Sequence, residues 1–383
     1  MRRMIRRWLC FCTALLLLCG TAGCGIQPEP APDFSGEAQT LSVGSPVKHY
    51  YDALDNTEKH AYNAVLSEIR SFPERIAVPS LTNTQLQKMY TALLYDNPEL
   101  FCLDLHSYVR QSRKAAYFYP QYLMEREDYE AMLNKCIDVA SDIVTLAQTA
   151  STAFGQELIV HDRLIAMCAY SDDNAYAYRN TIYGVLCGGY AACSGYAKAA
   201  KYIFDLLQIP CYVVAGISTP PGSTSDSHLW NIIQIDGRFY HLDLTWDDPV
   251  VETGSSLIHH TYFNQTDAAI SETHSAFSGT DPCTAVEDNY FIHEHLLFAD
   301  YGEAEQARTI EIAVQSIESG SEGFQLRFGN EKAFALAKKV LFEDQEIYPM
   351  LREIRKQSNA DFAADRASYI YGTDAYTIDV VLT

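Results

Sequence analysis

The apolar residues in the first third of the chain recur mostly at the spacing of helices. Asp55 and Glu58 have the pattern of a capping box, and apolar residues follow them three and four positions apart. Two more amphipathic segments come later, and only the stretch around 108–119 alternates like a pair of strands. We therefore predict a mainly helical unit over residues 47–155.

The middle of the chain changes to one helix followed by strands. The helix is predicted to begin near Cys193 and to end before Pro210, and the apolar run Cys211–Ile217 has the composition of a buried strand. Two alternating segments then flank Asp236-Gly237, a pair typical of a two-residue type I′ turn. This pattern predicts a β-hairpin.

The register of this hairpin decides which side chains can meet. If Ile235 pairs with Arg238, His228 and Asp243 lie on one face as diagonal neighbours, roughly 7–8 Å apart between Cα atoms. Their side chains can then form an Asp–His hydrogen bond. A slip of one residue would place them on opposite faces, so the register tests the prediction.

The last part of the chain, residues 301–383, is predicted to form a small α+β domain. Its predicted elements are strand Ile310–Ile317, strand Phe324–Phe328, helix Glu331–Phe342, helix Tyr348–Arg355 and strand Tyr376–Leu382. Together with the helical unit and the middle segment, residues 156–300, this gives three folded units. The predicted fold class is α+β.

The overall composition narrows the functional classes. The chain of 383 residues is 48% hydrophobic, which is enough to build a core, and its formal net charge is -21. A surface this acidic repels nucleic acid and anionic lipid headgroups, so neither is expected as a partner.

The first residues are typical of an export signal. Arginines precede the apolar run Trp8–Cys19, which is too short to span a bilayer. The small residues before Cys24 resemble a bacterial lipoprotein signal, in which the cysteine is lipidated, although Thr21 stands where leucine is usual. We expect a signal peptide over 1–24 and a flexible tether over 25–46. The protein is then extracytoplasmic, either lipid-anchored to the membrane or secreted.

Cys193, His228 and Asp243 are the candidate nucleophile, base and orienting acid. A cysteine at a helix N-terminus lies beside unpaired backbone N–H groups and the helix dipole, and both stabilise a thiolate. An imidazole can hold that anion and later protonate the leaving group, while a carboxylate fixes the imidazole tautomer. The backbone N–H of Cys193 can also contribute to an oxyanion site.

Each candidate also has a structural interpretation. Cys193 can be a buried core thiol, or it can pair with nearby Cys187 in a disulfide. His228 can be a strand histidine bonded to a carbonyl, and Asp243 a hydrogen-bond acceptor beside a turn. The catalytic interpretation is favoured because the helix start, the hairpin register and the order of the three residues agree.

The same residues carry a resemblance to a known family. The segment G-Y-A-A-C-S-G-Y-A-K-A contains Cys193, and S-H-L-W-N-I-I-Q-I-D-G-R-F-Y-H-L-D-L-T-W-D-D-P contains His228 and Asp243. They resemble the transglutaminase-like superfamily, which has its nucleophile before G-Y-A, its histidine before a Trp-Asn pair and its aspartate shortly before a tryptophan. The resemblance extends over residues 158–299. It implies a papain-like core, in which a helix carries the cysteine against an antiparallel sheet that carries the histidine and the aspartate.

The chain departs from the animal transglutaminases in two respects. Their tryptophan before the cysteine is missing, since Trp8 is the only tryptophan upstream, and Tyr183 and Tyr190 are the candidates to replace it. Their calcium-binding residues are not visible either. The later histidines do not have the spacing of a zinc site: His259, His260, His293 and His295. Neither a metal nor a cofactor is therefore expected.

Together these features predict a cysteine-dependent acyl-transfer enzyme that acts on an amide through a thioester. Hydrolysis is favoured, which makes a protein or peptide, such as a cell-wall peptide, the expected substrate. Transfer to an amine, giving protein crosslinks, and a non-catalytic binding or adhesion module on the same fold are the alternatives. The predicted walls of the substrate cleft are the loop Ser218–Asp226, Trp230, Trp246, Tyr183 and Tyr190.

Overall fold

The computed structural model describes residues 32–38, 48–113, 115–220, 224–248, 257–277, 279–318, 320–373 and 375–382. The predicted signal peptide, the lipidation site Cys24, most of the predicted tether and the tip of the loop Ser218–Asp226 lie outside these residues. Among the described helices, none combines the length and the apolar character needed to cross a membrane. The fold class is α+β, as predicted.

The N-terminal unit consists of four helices and a small antiparallel sheet. In chain order its elements are α1 (His49–Asp52), α2 (Asn56–Glu68), β1 (Ile76–Val78), α3 (Asn83–Asp96), β2 (Tyr108–Gln111), β3 (Ala116–Tyr119) and α4 (Arg126–Ala147). The predicted capping box of Asp55 and Glu58 is present, and Thr82 and Gln85 form a second one at the start of α3. The predicted helices and strand pair are confirmed.

The middle of the chain folds as a helix packed on an antiparallel sheet. Its elements are α5 (Ala153–Ala166), β4 (Ala169–Tyr170), β5 (Tyr190–Ala191), α6 (Cys193–Leu206), β6 (Cys211–Ser218), β7 (Asp226–Ile235), β8 (Arg238–Leu242), α7 (Leu244–Asp247), α8 (Asp267–Ile270), β9 (His274–Ser275) and α9 (Tyr290–His293). Strands β8, β7, β6 and β9 form one sheet in that order. Helix α6 packs on β6 and β7 because its apolar face, with Ala199, Ala200 and Ile203, is buried.

One hydrophobic cluster joins the N-terminal unit to this helix-and-sheet core. It contains buried residues from both parts of the chain, for example Tyr62, Phe118 and Ile233. The Tyr50 hydroxyl also donates to a backbone carbonyl of β6 at 2.8 Å. The predicted boundary near residue 155 therefore does not coincide with a gap in apolar packing, and the domain limits remain a prediction.

The C-terminal unit has its own hydrophobic cluster and a second four-stranded sheet. Its elements are β10 (Leu297–Phe298), α10 (Glu303–Glu318), β11 (Gly323–Phe328), α11 (Glu331–Lys338), α12 (Ile347–Ser358), β12 (Ser368–Gly372) and β13 (Thr377–Val381). The strand order is β10-β11-β13-β12, with β10 parallel to β11 and the other neighbours antiparallel.

One predicted element of this unit is wrong. The predicted strand Ile310–Ile317 lies inside helix α10. Its β-branched residues are typical of a strand, but Thr309, Ile312 and Ala313 are buried together at helical spacing. Acidic residues in the first turn of α10 further stabilise the helix through its dipole.

Candidate active site

Cys193 is the first residue of α6, and its thiol is free and half-buried. The N-cap residue before it, Ala192, has no side chain that can accept a hydrogen bond from the first turn. The helix dipole adds partial positive charge at the same end. The start of α6 can therefore stabilise an anion on the sulfur of Cys193 or on an oxygen bound beside it.

Two contacts hold the start of α6 in place. A Cβ atom added at Gly195 would lie 2.4 Å from the carbonyl oxygen of Arg179, so the absence of a side chain lets this loop pack on the first turn. One turn later, the Asn231 side chain donates to the carbonyl of Ala197 at 2.9 Å. The Trp-Asn pair of the sequence thus supplies the amide that links α6 to β7.

The hairpin of β7 and β8 has the predicted register. Ile235 pairs with Arg238, and the strands continue to pair from there without a bulge. Asp236 and Gly237 have φ values of 49° and 83°, as a type I′ turn requires. The register therefore places His228 on the face predicted from the sequence.

His228 and Asp243 are hydrogen-bonded, and both are buried. The distance between Nε2 of His228 and Oδ2 of Asp243 is 2.7 Å. Asp243 follows the last residue of β8 and is the N-cap of α7, where its Oδ1 accepts from the backbone N–H groups of Thr245 and Trp246 at 3.0 and 3.3 Å. The carboxylate is thus fixed by the backbone on one oxygen and bound to the imidazole through the other.

The opposite charges of His228 and Asp243 stabilise each other and shift both pKa values. Burial disfavours the imidazolium of His228, but the charge and hydrogen bond of Asp243, with a smaller contribution from Cys193, outweigh burial and raise the pKa of His228 to about 10. Burial also opposes ionisation of Asp243, yet His228 and His274 hold the pKa of this carboxyl well below its usual value. Because Cys193 contributes to the raised pKa of His228, its sulfur lies close to the imidazole. Because Nε2 is bonded to Asp243, Nδ1 is the nitrogen left for the thiol.

His274 is part of the site, and the sequence reasoning did not identify it. Its Nε2 lies 3.0 Å from Oδ2 of Asp243, the same oxygen that His228 contacts. The hydroxyl of Thr273 lies 2.9 Å from Nδ1, which leaves Nε2 to donate to the carboxylate. His274 belongs to the two-residue strand β9, which has no periodic pattern in the sequence, so no local signal identifies it.

The two predicted tryptophans of the cleft differ in position. Trp230 is only 1% exposed, so it is not an open wall of a cleft but a buried support beneath His228. Its indole N–H donates to His241 at 2.9 Å, and a Cβ atom at Gly216 would lie 2.6 Å from its ring. Trp246 is half-buried, and its ring centroid is 6.2 Å from that of His228, so it remains a candidate cleft wall.

The two tyrosines proposed for the oxyanion site pack against other aromatic rings. Tyr183 is half-buried and lies edge-on to Tyr178 at 5.5 Å between ring centroids. Tyr190 is 41% exposed and stacks on Tyr176 at 4.1 Å. Their role in the cleft stays a prediction.

Cys187 and Cys193 are both free thiols in the structure. The thiol of Cys187 lies near Cys136 on α4, and each affects the pKa of the other. The pairing of Cys187 with Cys193 that the sequence left open is therefore not formed.

Three groups of described residues bring possible metal ligands within 4.8 Å of one another: His161, Asp162 and His260; His228, Asp243 and His274; and His241, Asp267 and Cys283. In each group the histidines lie 2.7–3.0 Å from a carboxylate oxygen. Hydrogen bonds within the groups thus satisfy these polar atoms without an ion. Of the four later histidines considered for a zinc site, His260 alone belongs to one of these groups.

A thiol at a helix start, an imidazole on the adjoining sheet and a carboxylate that orients it define a cysteine-dependent site. The family comparison agrees, because residues 137–244 match the model of the transglutaminase-like superfamily. The match spans just over a quarter of the chain and includes Cys193, His228 and Asp243. At the level of the family it supports a cysteine-dependent enzyme.

Two solved structures are also similar to the chain. One is described as a TGase, with 16% identity and a TM-score of 0.27, and the similarity covers 50% of this chain and 54% of that one. The other is a "putative cysteine protease" from Cytophaga hutchinsonii, with 16% identity and a TM-score of 0.25, covering 39% of this chain and 56% of that one. The chain thus spans about half the length of these structures. No curated protein matches the sequence.

Proposed function

We propose that this protein hydrolyses peptide or amide bonds, with Cys193 as nucleophile, His228 as acid and base, and Asp243 as the orienting group. The observation that carries the proposal is the 2.7 Å bond from Nε2 of His228 to Asp243, which leaves the other imidazole nitrogen for the thiol at the start of α6. The substrate we favour is a protein or a peptide of the cell wall.

In the first half of the proposed reaction, the thiolate of Cys193 attacks the carbonyl carbon of the amide, and the carbonyl oxygen takes the negative charge. In this proposal the N–H groups at the start of α6 bind the oxyanion. When the oxyanion collapses, the C–N bond breaks and Nδ1 of the His228 imidazolium gives its proton to the leaving nitrogen. An amine is released, and the acyl group stays on the sulfur as a thioester.

In the second half, neutral His228 takes a proton from water, and the water oxygen adds to the thioester carbonyl. The C–S bond then breaks, which releases the carboxylic acid and restores the thiolate and the imidazolium. Asp243 keeps the imidazole in the orientation that both proton transfers need. If an amine takes the place of water, the same steps produce a crosslink.

The proposal includes an extracytoplasmic location, with a lipid on Cys24 holding the chain at the membrane. Its support is the sequence of residues 1–24. Cells that express the wild type or Cys24→Ala are fed an alkyne-tagged fatty acid, and the protein is analysed for the tag. Labelling of the wild type alone is expected, and equal labelling of both forms would contradict the anchor.

The central experiment compares wild type with Cys193→Ala on casein and on cell-wall peptides, with and without a primary amine donor, by mass spectrometry. New peptide ends with the wild type alone are the expected result. Incorporation of the amine in preference to cleavage would support the crosslinking alternative. Identical products from both forms would remove the enzymatic claim and favour a binding module.

A further inference from the structure

We propose that a cavity between the segment after Asp243 and the C-terminal sheet binds a small carboxylate-bearing ligand through Arg327. The cavity has a volume of about 340 Å³, which is within the range of small-molecule sites. Arg327 on β11 lines one side, and Tyr262 and Asn264 line another. Neither Cys193 nor His228 lines it, so this site goes beyond the proposed hydrolysis and does not rest on it.

The strand pattern explains why a cation lies here. Side chains alternate along β11, and Phe324, Leu326 and Phe328 enter the C-terminal hydrophobic cluster. Arg327 therefore projects from the opposite face of that sheet. On the same face Gln325 accepts from the backbone N–H of His260 at 3.4 Å, which shows that this face is turned toward the middle of the chain.

The guanidinium of Arg327 has neither a hydrogen-bond acceptor for its buried Nη1 nor a carboxylate partner among the described residues. Its Nη1 is buried and has no hydrogen-bond partner among the described residues. Within the same residues no carboxylate forms an ion pair with it, and its ring contact is with Phe291 at 5.7 Å. Burial lowers the pKa of Arg327, and the charges of Tyr262, Glu272 and Asp247 offset this only in part.

Four other arginines among the described residues are paired with a carboxylate although they lie nearer the solvent. Arg70, Arg126, Arg238 and Arg308 each have a carboxylate oxygen at 2.7–2.9 Å. An unpaired guanidinium costs more free energy when it is buried than when water surrounds it. Arg327 is half-buried, and no described carboxylate pairs with it beside the cavity, so an anion that enters the cavity is the best explanation.

The surroundings select a carboxylate with a neighbouring N–H group. A guanidinium matches the plane of a carboxylate with two parallel hydrogen bonds. Glu272 also lines the cavity and the chain carries a net charge of -21, so a dianion such as phosphate is disfavoured. Asn264 also lines the cavity, and its Oδ1 is buried with no partner among the described residues, so it can accept from an N–H of the ligand. The C-terminal residue of a peptide, or a free acylated amino acid, has both groups.

The test uses N-acetyl-L-alanine and its neutral amide in isothermal titration calorimetry. The acid is expected to bind the wild type. The amide should bind the wild type roughly tenfold more weakly or worse, and the acid should bind Arg327→Met with a similar loss. Arg126→Met, which removes an exposed paired arginine, is the control and should bind the acid like the wild type. Acetyl-trialanine separates the two sources of the ligand. If it binds as tightly as N-acetyl-L-alanine, the ligand is the end of a peptide, and if it binds more weakly, the ligand is a free acylated amino acid.

Thermal unfolding without ligand separates a binding role from a structural one. A binding arginine without a partner should leave the Tm of Arg327→Met unchanged or higher, whereas a structural arginine would lower it by several degrees. Arg327→Lys keeps the charge without the planar fork and should bind more weakly than the wild type, which keeps the test open if the methionine variant does not fold. Equal binding of acid and amide, equal binding by Arg327→Met, or a preference for inorganic phosphate would overturn the proposal.

Discussion

Replacing Asp243 by asparagine removes the negative charge beside His228 and His274. Asparagine has nearly the same shape and keeps an oxygen that can accept from the N–H groups at the start of α7, so the fold should be retained. The imidazolium of His228, however, loses the main group that opposes its burial. We expect a folded protein in which His228 is neutral at pH 7.

The size of the effect of Asp243→Asn follows from the raised pKa of His228. A rise in the pKa of His228 from 6.5 to about 10 corresponds to roughly 5 kcal/mol in favour of the charged form, at about 1.4 kcal/mol per unit. Burial disfavours the charged form, so Asp243 and Cys193 together stabilise it by more than this free energy. With asparagine at position 243 the pKa of His228 should fall by more than about three units, to below 7. Turnover should fall by about 10²–10⁴-fold, because a neutral imidazole cannot protonate the leaving group.

The assay is a pH titration of the ring Cε1–H signals by NMR in protein with ¹³C-labelled histidine. The chain has 11 histidines, and the signal of His228 is assigned by its loss in His228→Gln. Asp226→Asn is the matched control, because Asp226 is an exposed acid on the same strand and should change the pKa by less than about half a unit. A decrease of under one unit in Asp243→Asn would refute the argument that Asp243 holds the charge on His228.

Three further outcomes are expected. Gly195→Ala should lower the free energy of unfolding by about 1–3 kcal/mol, because the new Cβ meets a backbone carbonyl at 2.4 Å. Gly329→Ala is the control and should not lower it, because its Cβ would meet atoms only at 3.7 Å or more. Equal losses of the two variants in thermal unfolding would contradict this prediction. His274→Phe removes one donor from Asp243 and should cost about 1–3 kcal/mol in urea unfolding, so an unchanged midpoint would show that the contact is unimportant. His228 has a raised pKa in the folded chain, so its contribution to stability is complete below pH 6.5 and is lost as the pH rises toward about 10. Between these pH values the free energy of unfolding of His228→Gln should therefore fall by about 3–5 kcal/mol less than that of the wild type. Parallel curves of unfolding free energy against pH would argue against this prediction.

Features determined by neighbouring residues were predictable from the sequence. Asp236-Gly237 dictates a turn with two positive φ angles, and alternation then fixes the face on which His228 lies. The capping box at Asp55 is equally local. The meeting of His228 with Asp243 could be derived because both belong to one hairpin.

Features that depend on distant packing were not predictable. Segment 310–317 has the β-branched composition of a strand, but burial of one helical face decides its structure. His274 reaches Asp243 only because β9 pairs with β6, and no sequence spacing encodes that pairing. Trp230 is buried because Gly216 on the adjacent strand leaves room for its ring. The cavity beside Arg327 arises where the segment after Asp243 meets the C-terminal sheet, which cannot be derived from either part of the chain alone.

The central claim, that His228 activates Cys193, is tested most directly by substoichiometric iodoacetamide at pH 7, followed by peptide mapping. Exposure alone favours Cys187, which is exposed, whereas Cys193 is half-buried. If the imidazole of His228 activates the thiol as proposed, Cys193 is alkylated first in the wild type and loses this advantage in His228→Ala. Preferential labelling of Cys187 in the wild type, or unchanged labelling of Cys193 in His228→Ala, would contradict the account.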